Sequence, residues 1–165
     1  MIVGMSIGAF TVVHVIISLV AIASGFVALA GLLTSKSRPK WTGLFLVMTL
    51  LTTVTGFMFP FSVVTPAFVT GIISISALLI TLLALYVFNM IGMWRWIYVV
   101  TAVFGLYLNC FVLVVQSFQK ISFLNPLAPT QSEPAFLIAQ SALLAGFIVF
   151  GFLAVRRFHP QAVPA

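Results

Sequence analysis

Polar and apolar positions divide this chain into five long apolar runs with short polar interruptions between them. The runs cover about residues 5–33, 42–59, 66–89, 96–118 and 134–155. A helix needs about 20 apolar residues to cross the hydrocarbon core of a bilayer, and each run is close to or above that length. None alternates with a period of two. In lipid every backbone polar group must be paired within its own segment, so each run is predicted to be an α-helix. The first run is long enough to tilt or to protrude. The second stops at Pro60. Pro66 and Pro134 stand at first-turn positions, where a missing N–H costs nothing. The pattern therefore predicts an all-α integral membrane bundle of five transmembrane helices. It forms a single domain over residues 1–165, with no internal repeat and no low-complexity linker.

Within each run the small and hydroxyl residues recur at spacings of three, four or seven. The first run has Gly4, Gly8, Thr11, His14, Ser18, Ala21, Gly25 and Ala28; the fourth has Thr101, Gly105, Asn109, Gln116 and Lys120. Such residues let helix backbones approach closely, so these stripes are the expected helix–helix faces, and the Leu/Ile/Val/Phe faces are expected to meet lipid.

Composition agrees with the pattern. Of 165 residues 63% are hydrophobic and 5% charged, with a mean hydropathy of +1.32. A soluble domain carries about 25% charged residues, so folding in water is excluded. The net charge of +6 would suggest nucleic acid in a soluble protein. Here the cations flank apolar runs and read as topology anchors, with no nucleic-acid partner expected. The loop Ser35-Lys36-Ser37-Arg38-Pro39-Lys40-Trp41 is the densest of them. Five crossings put Lys36, Arg38, Lys40, Arg95, Arg156 and Arg157 on one side and Lys120 alone on the other. By the positive-inside rule the N-terminus is then outside and the C-terminus cytoplasmic. Trp41, Trp94 and Trp96 fall on the same cytoplasmic boundary, where interfacial tryptophan is expected. Residues 1–33 contain no Lys or Arg, so they lack the positive region of a cleaved signal and are read as a span.

Chemistry-bearing residues are sparse. There is one acid, Glu133, and one cysteine, Cys110, which reads as an inert buried thiol because no cation at helical spacing would activate it. No Cys/His metal spacing, phosphate-cradling Gly loop or Ser/His/Asp set occurs, and no metal site is expected. His14 is the one histidine inside a run, and intramembrane ionisable residues are functional candidates. Two readings of it stand side by side. One is a neutral imidazole hydrogen-bonded to a Thr, Ser or Asn of another helix. The other is a haem ligand or proton-handling group. His159 lies past the Arg pair in the cytoplasmic tail, so the two histidines cannot clamp one haem. Asn109 and Gln116 share a helix face and are expected to point inward. They either bond to neighbouring helices or line, with Tyr107 and Gln140, a small polar cavity toward the outer side. Glu133, just before Pro134, is expected to cap the free N–H groups of the fifth helix, with a compatible salt bridge to Lys120 across the outer loop.

The stretch Trp94-Arg95-Trp96-Ile97-Tyr98-Val99-Val100-Thr101-Ala102-Val103, then Leu106-Tyr107-Leu108-Asn109, Gln116-Ser117-Phe118-Gln119-Lys120 and Leu127-Ala128-Pro129-Thr130-Gln131-Ser132-Glu133-Pro134, resembles a family of small uncharacterised bacterial inner-membrane proteins. Thr55-Gly56-Phe57 and Pro60-Phe61 extend the resemblance over most of the chain. It implies a location in the bacterial cytoplasmic membrane and carries no activity with it. Relatives often place a His shortly after the Pro that opens the third span. This chain reads Pro66-Ala67-Phe68 there, so a His pair that held haem in relatives would be half missing.

The sequence supports first a non-catalytic accessory or scaffold subunit that packs against larger membrane partners. The alternatives are a b-type haem or quinone protein built on His14, and a small-solute transporter or channel built on the Asn109, Gln116, Gln140 and Tyr107 cluster. An enzyme is disfavoured, because acid–base work needs paired titratable groups within reach.

Overall fold

A computed structural model of the chain describes residue 2 and residues 4–60 and 66–159. Five helices make up the architecture: α1 (Ile7–Leu33), α2 (Pro39–Phe57), α3 (Pro66–Leu82), α4 (Met93–Lys120) and α5 (Pro134–Arg157). Each is long and apolar enough to cross a membrane, the third when its π-helical extension is included. The chain is a multi-pass membrane protein with an all-helical fold. The turn expected at 60–65 lies, beyond Pro60, outside the described residues.

The helix ends follow local chemistry. Ser6 starts α1 by accepting the Ala9 N–H at 3.2 Å, as a serine at that position does. At its other end Ser35 takes a left-handed conformation with φ 54°, and the Lys36 N–H returns to the Gly31 carbonyl at 2.9 Å. Only glycine fits at position 31, since a Cβ there would lie 2.8 Å from the Lys36 carbonyl oxygen. Pro134 occupies the first turn of α5 and α3 begins at Pro66, as the sequence predicts, and Pro39 likewise occupies the first turn of α2. Helix α2 begins at Pro39 and ends at Phe57, slightly earlier at both ends than the apolar run. The third run is not one regular helix. It passes into a π-helical turn at Leu83–Val87, where the Phe88 N–H bonds the Leu83 carbonyl at 2.9 Å. Left-handed Asn89 and Met90 and a positive-φ Gly92 then reverse the chain, and Phe88 stacks on Trp94 at 3.8 Å across the reversal.

Helix α4 is the axis of the bundle and packs against α1, α3 and α5, while α1 and α2 form an antiparallel pair beside it. Leu106, 1% exposed, and Val99, fully enclosed, sit at the centre with Ile22, Leu29, Phe45, Leu78 and Phe147 around them. Gly25 permits this approach: a Cβ there would lie 2.5 Å from Leu106 Cδ1 and 2.9 Å from the Phe45 ring. The expected use of small residues at helix contacts holds at Gly25 and at Gly71, where a Cβ would meet the Phe57 ring at 2.7 Å. It does not hold at Gly8 or Gly146, which face open space.

The loop after α4 folds back over the tips of α4 and α5. Asn125 Nδ2 donates to the Phe118 carbonyl, Gln131 Nε2 donates to that of Val115, and Ala128 is buried between Phe118 and Phe136. Phe123 and Leu127 are exposed, as suits residues lying in an interface.

Candidate functional site

The polar side chains of the spans form cross-links at separate places in the bundle. His14 of α1 meets Thr55 of α2, Nδ1 to Oγ1 at 2.7 Å. The Thr55 hydroxyl also lies within hydrogen-bond distance of the Leu51 carbonyl, at 2.7 Å. Which of the two groups donates in the His14–Thr55 bond depends on the imidazole tautomer, and Nε2 takes no hydrogen bond among the described residues. The ring is half-buried, with Phe59 edge-on at 5.4 Å. Gly56 passes closely enough that a Cβ there would be 3.6 Å from Cε1. Fixing one ring nitrogen by a hydrogen bond while the other stays free is how ligand histidines are oriented.

Asn109 of α4 donates to Thr49 of α2, Nδ2 to Oγ1 at 2.9 Å. Thr81 and Thr101 link α3 to α4 at 2.8 Å. Gln140 of α5 donates through Nε2 to the Phe111 carbonyl of α4 at 3.2 Å, and its Oε1 is buried without a partner, as is Thr52 Oγ1. Tyr107 lies in an aromatic layer with Phe104, Phe111 and Phe147.

These placements give the residues of the expected polar cavity separate partners. Asn109 faces α2 and Tyr107 faces α5, because two residues along a helix is more than half a turn. Gln116 is exposed, although it shares the Asn109 face. It stands seven residues, about 10 Å, further along α4, near the level at which α2 stops at Phe57. Asn109, Tyr107 and Gln140 thus serve contacts with different partners, and Gln116 is exposed.

The outer-loop expectation is corrected. Glu133 precedes α5, yet its side chain makes no bond to the helix N–H groups. Oε1 takes the Thr130 N–H at 3.1 Å and the Thr130 hydroxyl at 2.8 Å, and Oε2 takes the Ser132 N–H at 3.1 Å. A glutamate side chain is long enough to curl back into its own loop, and it does so here. Lys120 is exposed, and no ion pair to Glu133 forms among the described residues. Slight desolvation raises the Glu133 pKa, but the Thr130 and Ser132 hydrogen bonds outweigh it and hold the carboxyl below its ordinary value. Cys110 is buried and free.

At the opposite end the termini of several helices are tied together. Arg95 donates through Nη1 to the Val155 carbonyl at 3.1 Å and to that of Phe158. Ser35 both donates to the His159 carbonyl at 3.0 Å and accepts the His159 N–H at 2.9 Å. His159 is therefore fixed beside Ser35. His14 lies 21 residues back along α1, about 30 Å away, so the two cannot share a haem. The six cations assigned to one side by sequence do lie at one end of the bundle. Sequence reasoning passed over a feature at that same end, a cavity of about 90 Å³ between the Lys36–Pro39 loop, the π-helical turn and the start of α4. Its signal in the sequence was only the loop's cation density, which topology had already explained.

Compared with protein-family models, with curated proteins and with solved structures, the chain shows no match.

Proposed function

We propose that the protein is a non-catalytic accessory or scaffold subunit of a membrane complex, seated in the bacterial cytoplasmic membrane with its N-terminus outside and its C-terminus cytoplasmic. The observation that carries this reading is the outer face of α5. Ser141, Ala142 and Ala145 are exposed together on it, and a Cβ on the adjacent Gly146 would meet nothing within 4 Å. Lipid gains nothing from small or hydroxyl residues side by side, whereas another transmembrane helix can approach closely over them. The polar groups inside the bundle are largely spent on its own cross-links, which leaves little for catalysis. The orientation rests on the cation asymmetry between the two ends, and the bacterial membrane on the family resemblance. The test is purification in mild detergent. The native chain should co-purify with another membrane protein, and an Ala142→Leu/Ala145→Leu chain should lose that partner while melting at the same temperature. Recovery of the native chain only as an isolated monomer would count decisively against the reading.

A second reading, a b-type haem or quinone protein, is favoured by His14, whose Nδ1 is anchored on Thr55 while Nε2 takes no hydrogen bond among the described residues. That nitrogen could ligate iron or accept from a quinol hydroxyl. A Soret band in carefully purified protein, lost in His14→Leu, would support the haem version; a spectrum without the band discards it. The transport reading rested on Tyr107, Asn109, Gln116 and Gln140 together, and Asn109 and Gln140 here bond to different helices.

A further inference from the structure

The cavity at the cation end has a composition that topology anchoring does not require. Lys36 and Arg38 stand at its exposed mouth, and Thr42, Tyr98 and Phe158 form a buried floor. Tyr98 and Thr42 line it together, and Tyr86 is a further hydroxyl-bearing residue of the lining. Among the described residues the two cations have no counter-ion. The chain's one acid is Glu133, which is held in the loop at the other end by Thr130 and Ser132. Arg95, by contrast, is already committed to the carbonyls closing α5.

The cationic mouth is built rather than incidental. Gly31 lets the loop return against α1, and the aliphatic stem of Arg38 lies over it, 3.2 Å from where a Cβ would stand. Arg38 immediately precedes Pro39, and its side chain makes no capping bond. The first N–H groups of α2 therefore add a positive dipole end beside it. The opposite wall comes from the π-helical turn through Leu85 and Tyr86. A π-turn sits at a functional site more often than chance would place it. At about 90 Å³ the space is well above the roughly 10–15 Å³ needed by one water.

We propose that this cavity binds a phosphate group, with Lys36 and Arg38 on its oxygens and the hydroxyl-bearing floor beneath. Two sources present that chemistry at this depth, the headgroup of an anionic phospholipid and free phosphate. A guanidinium forks onto phosphate oxygens in bidentate fashion while an ammonium acts as a point charge, and the cavity offers one of each.

The test uses the full chain, delipidated in an uncharged detergent. Calorimetric titration is run separately with short-chain phosphatidylglycerol, with short-chain phosphatidylcholine and with inorganic phosphate. Binding of phosphatidylglycerol without inorganic phosphate identifies the lipid headgroup as the source; binding of inorganic phosphate of similar strength identifies the free anion. Lys36→Gln/Arg38→Gln should weaken the bound species at least tenfold. Arg156→Gln/Arg157→Gln removes the same charge from the same end outside the cavity, and should weaken it less than twofold. Tyr98→Phe should cost several-fold, with circular dichroism and melting reporting that the variant is folded. Equal losses in the two double variants, or no binding of either phosphate species, overturn the proposal.

Discussion

Helices α4 and α5 are alike by composition and unlike in the fold. Their most apolar windows have the same mean hydropathy, yet 44% of that window is buried in α4 and 11% in α5. In water such equal sequences would compete equally for the core. In a bilayer lipid is as apolar as leucine, so hydropathy drives insertion and leaves the choice of neighbours to packing and hydrogen bonding. Helix α4 has what that choice needs: Asn109 for Thr49, Thr101 for Thr81, and Leu106 fitted against Gly25. Helix α5 packs on α4 through Phe147 and Ala154 and is otherwise secured by Gln140 along its length and by Arg95 and Ser35 at its end. The bundle is thus fixed through its axis and merely fastened to its last helix.

The comparison breaks most readily at Gly25. Gly25→Val puts atoms where Leu106 and Phe45 already lie, and both of those are almost fully buried. Overpacking should cost about 3 kcal/mol, read as a lower midpoint in a detergent-denaturation series. Ile148→Ala on the exposed face of α5 should move that midpoint by less than about 0.5 kcal/mol. A comparable loss at both positions would mean that α5 is as deeply packed as α4.

Arg95→Gln comes next. It removes a charged donor from two carbonyls at the end of α5, a kind of bond worth about 1.5–3 kcal/mol, lowered here by partial exposure. The expected result is faster protease cutting after Phe158 with little change in the midpoint of the bundle. Asn109→Leu should cost roughly 1 kcal/mol, since polar contacts between membrane helices average about 0.6 kcal/mol and reach about 1.7. A null result there would sharpen the contrast by assigning the position of α4 to packing alone.

The smallest effect belongs to Glu133. Its folded pKa lies below the ordinary 4.5, so its contribution to loop order is complete above that value and is lost as pH falls through the lower folded value. Amide exchange at Thr130 and Ser132 should therefore quicken, after correction for intrinsic exchange, only below about pH 4.5. Glu133→Gln should abolish that dependence, and the core of α4 should not respond.

Much of the fold was readable in advance because its determinants are local. Span lengths follow from bilayer thickness, Pro66 and Pro134 mark helix starts by their missing N–H, and the cations fall at one end because charge avoids the hydrocarbon core. The cross-links were less accessible. His14 could be expected to find a hydroxyl, but its choice of Thr55 depends on how α1 and α2 are set against each other. Asn109 and Gln116 share a face by periodicity, and only the height at which α2 ends separates the half-buried amide from the exposed one. Glu133 was expected to cap α5, with a compatible salt bridge to Lys120, and its loop's own conformation supplied other partners.

The sequence by itself determined five helices long and apolar enough to cross a membrane, since insertion depends on length and apolarity summed along each segment. Tertiary structure alone decided which helix is central, which polar groups meet, and that Lys36, Arg38 and Tyr98 border one cavity. Those outcomes depend on the relative rotation and height of helices that lipid would solvate equally well, and no single segment encodes them.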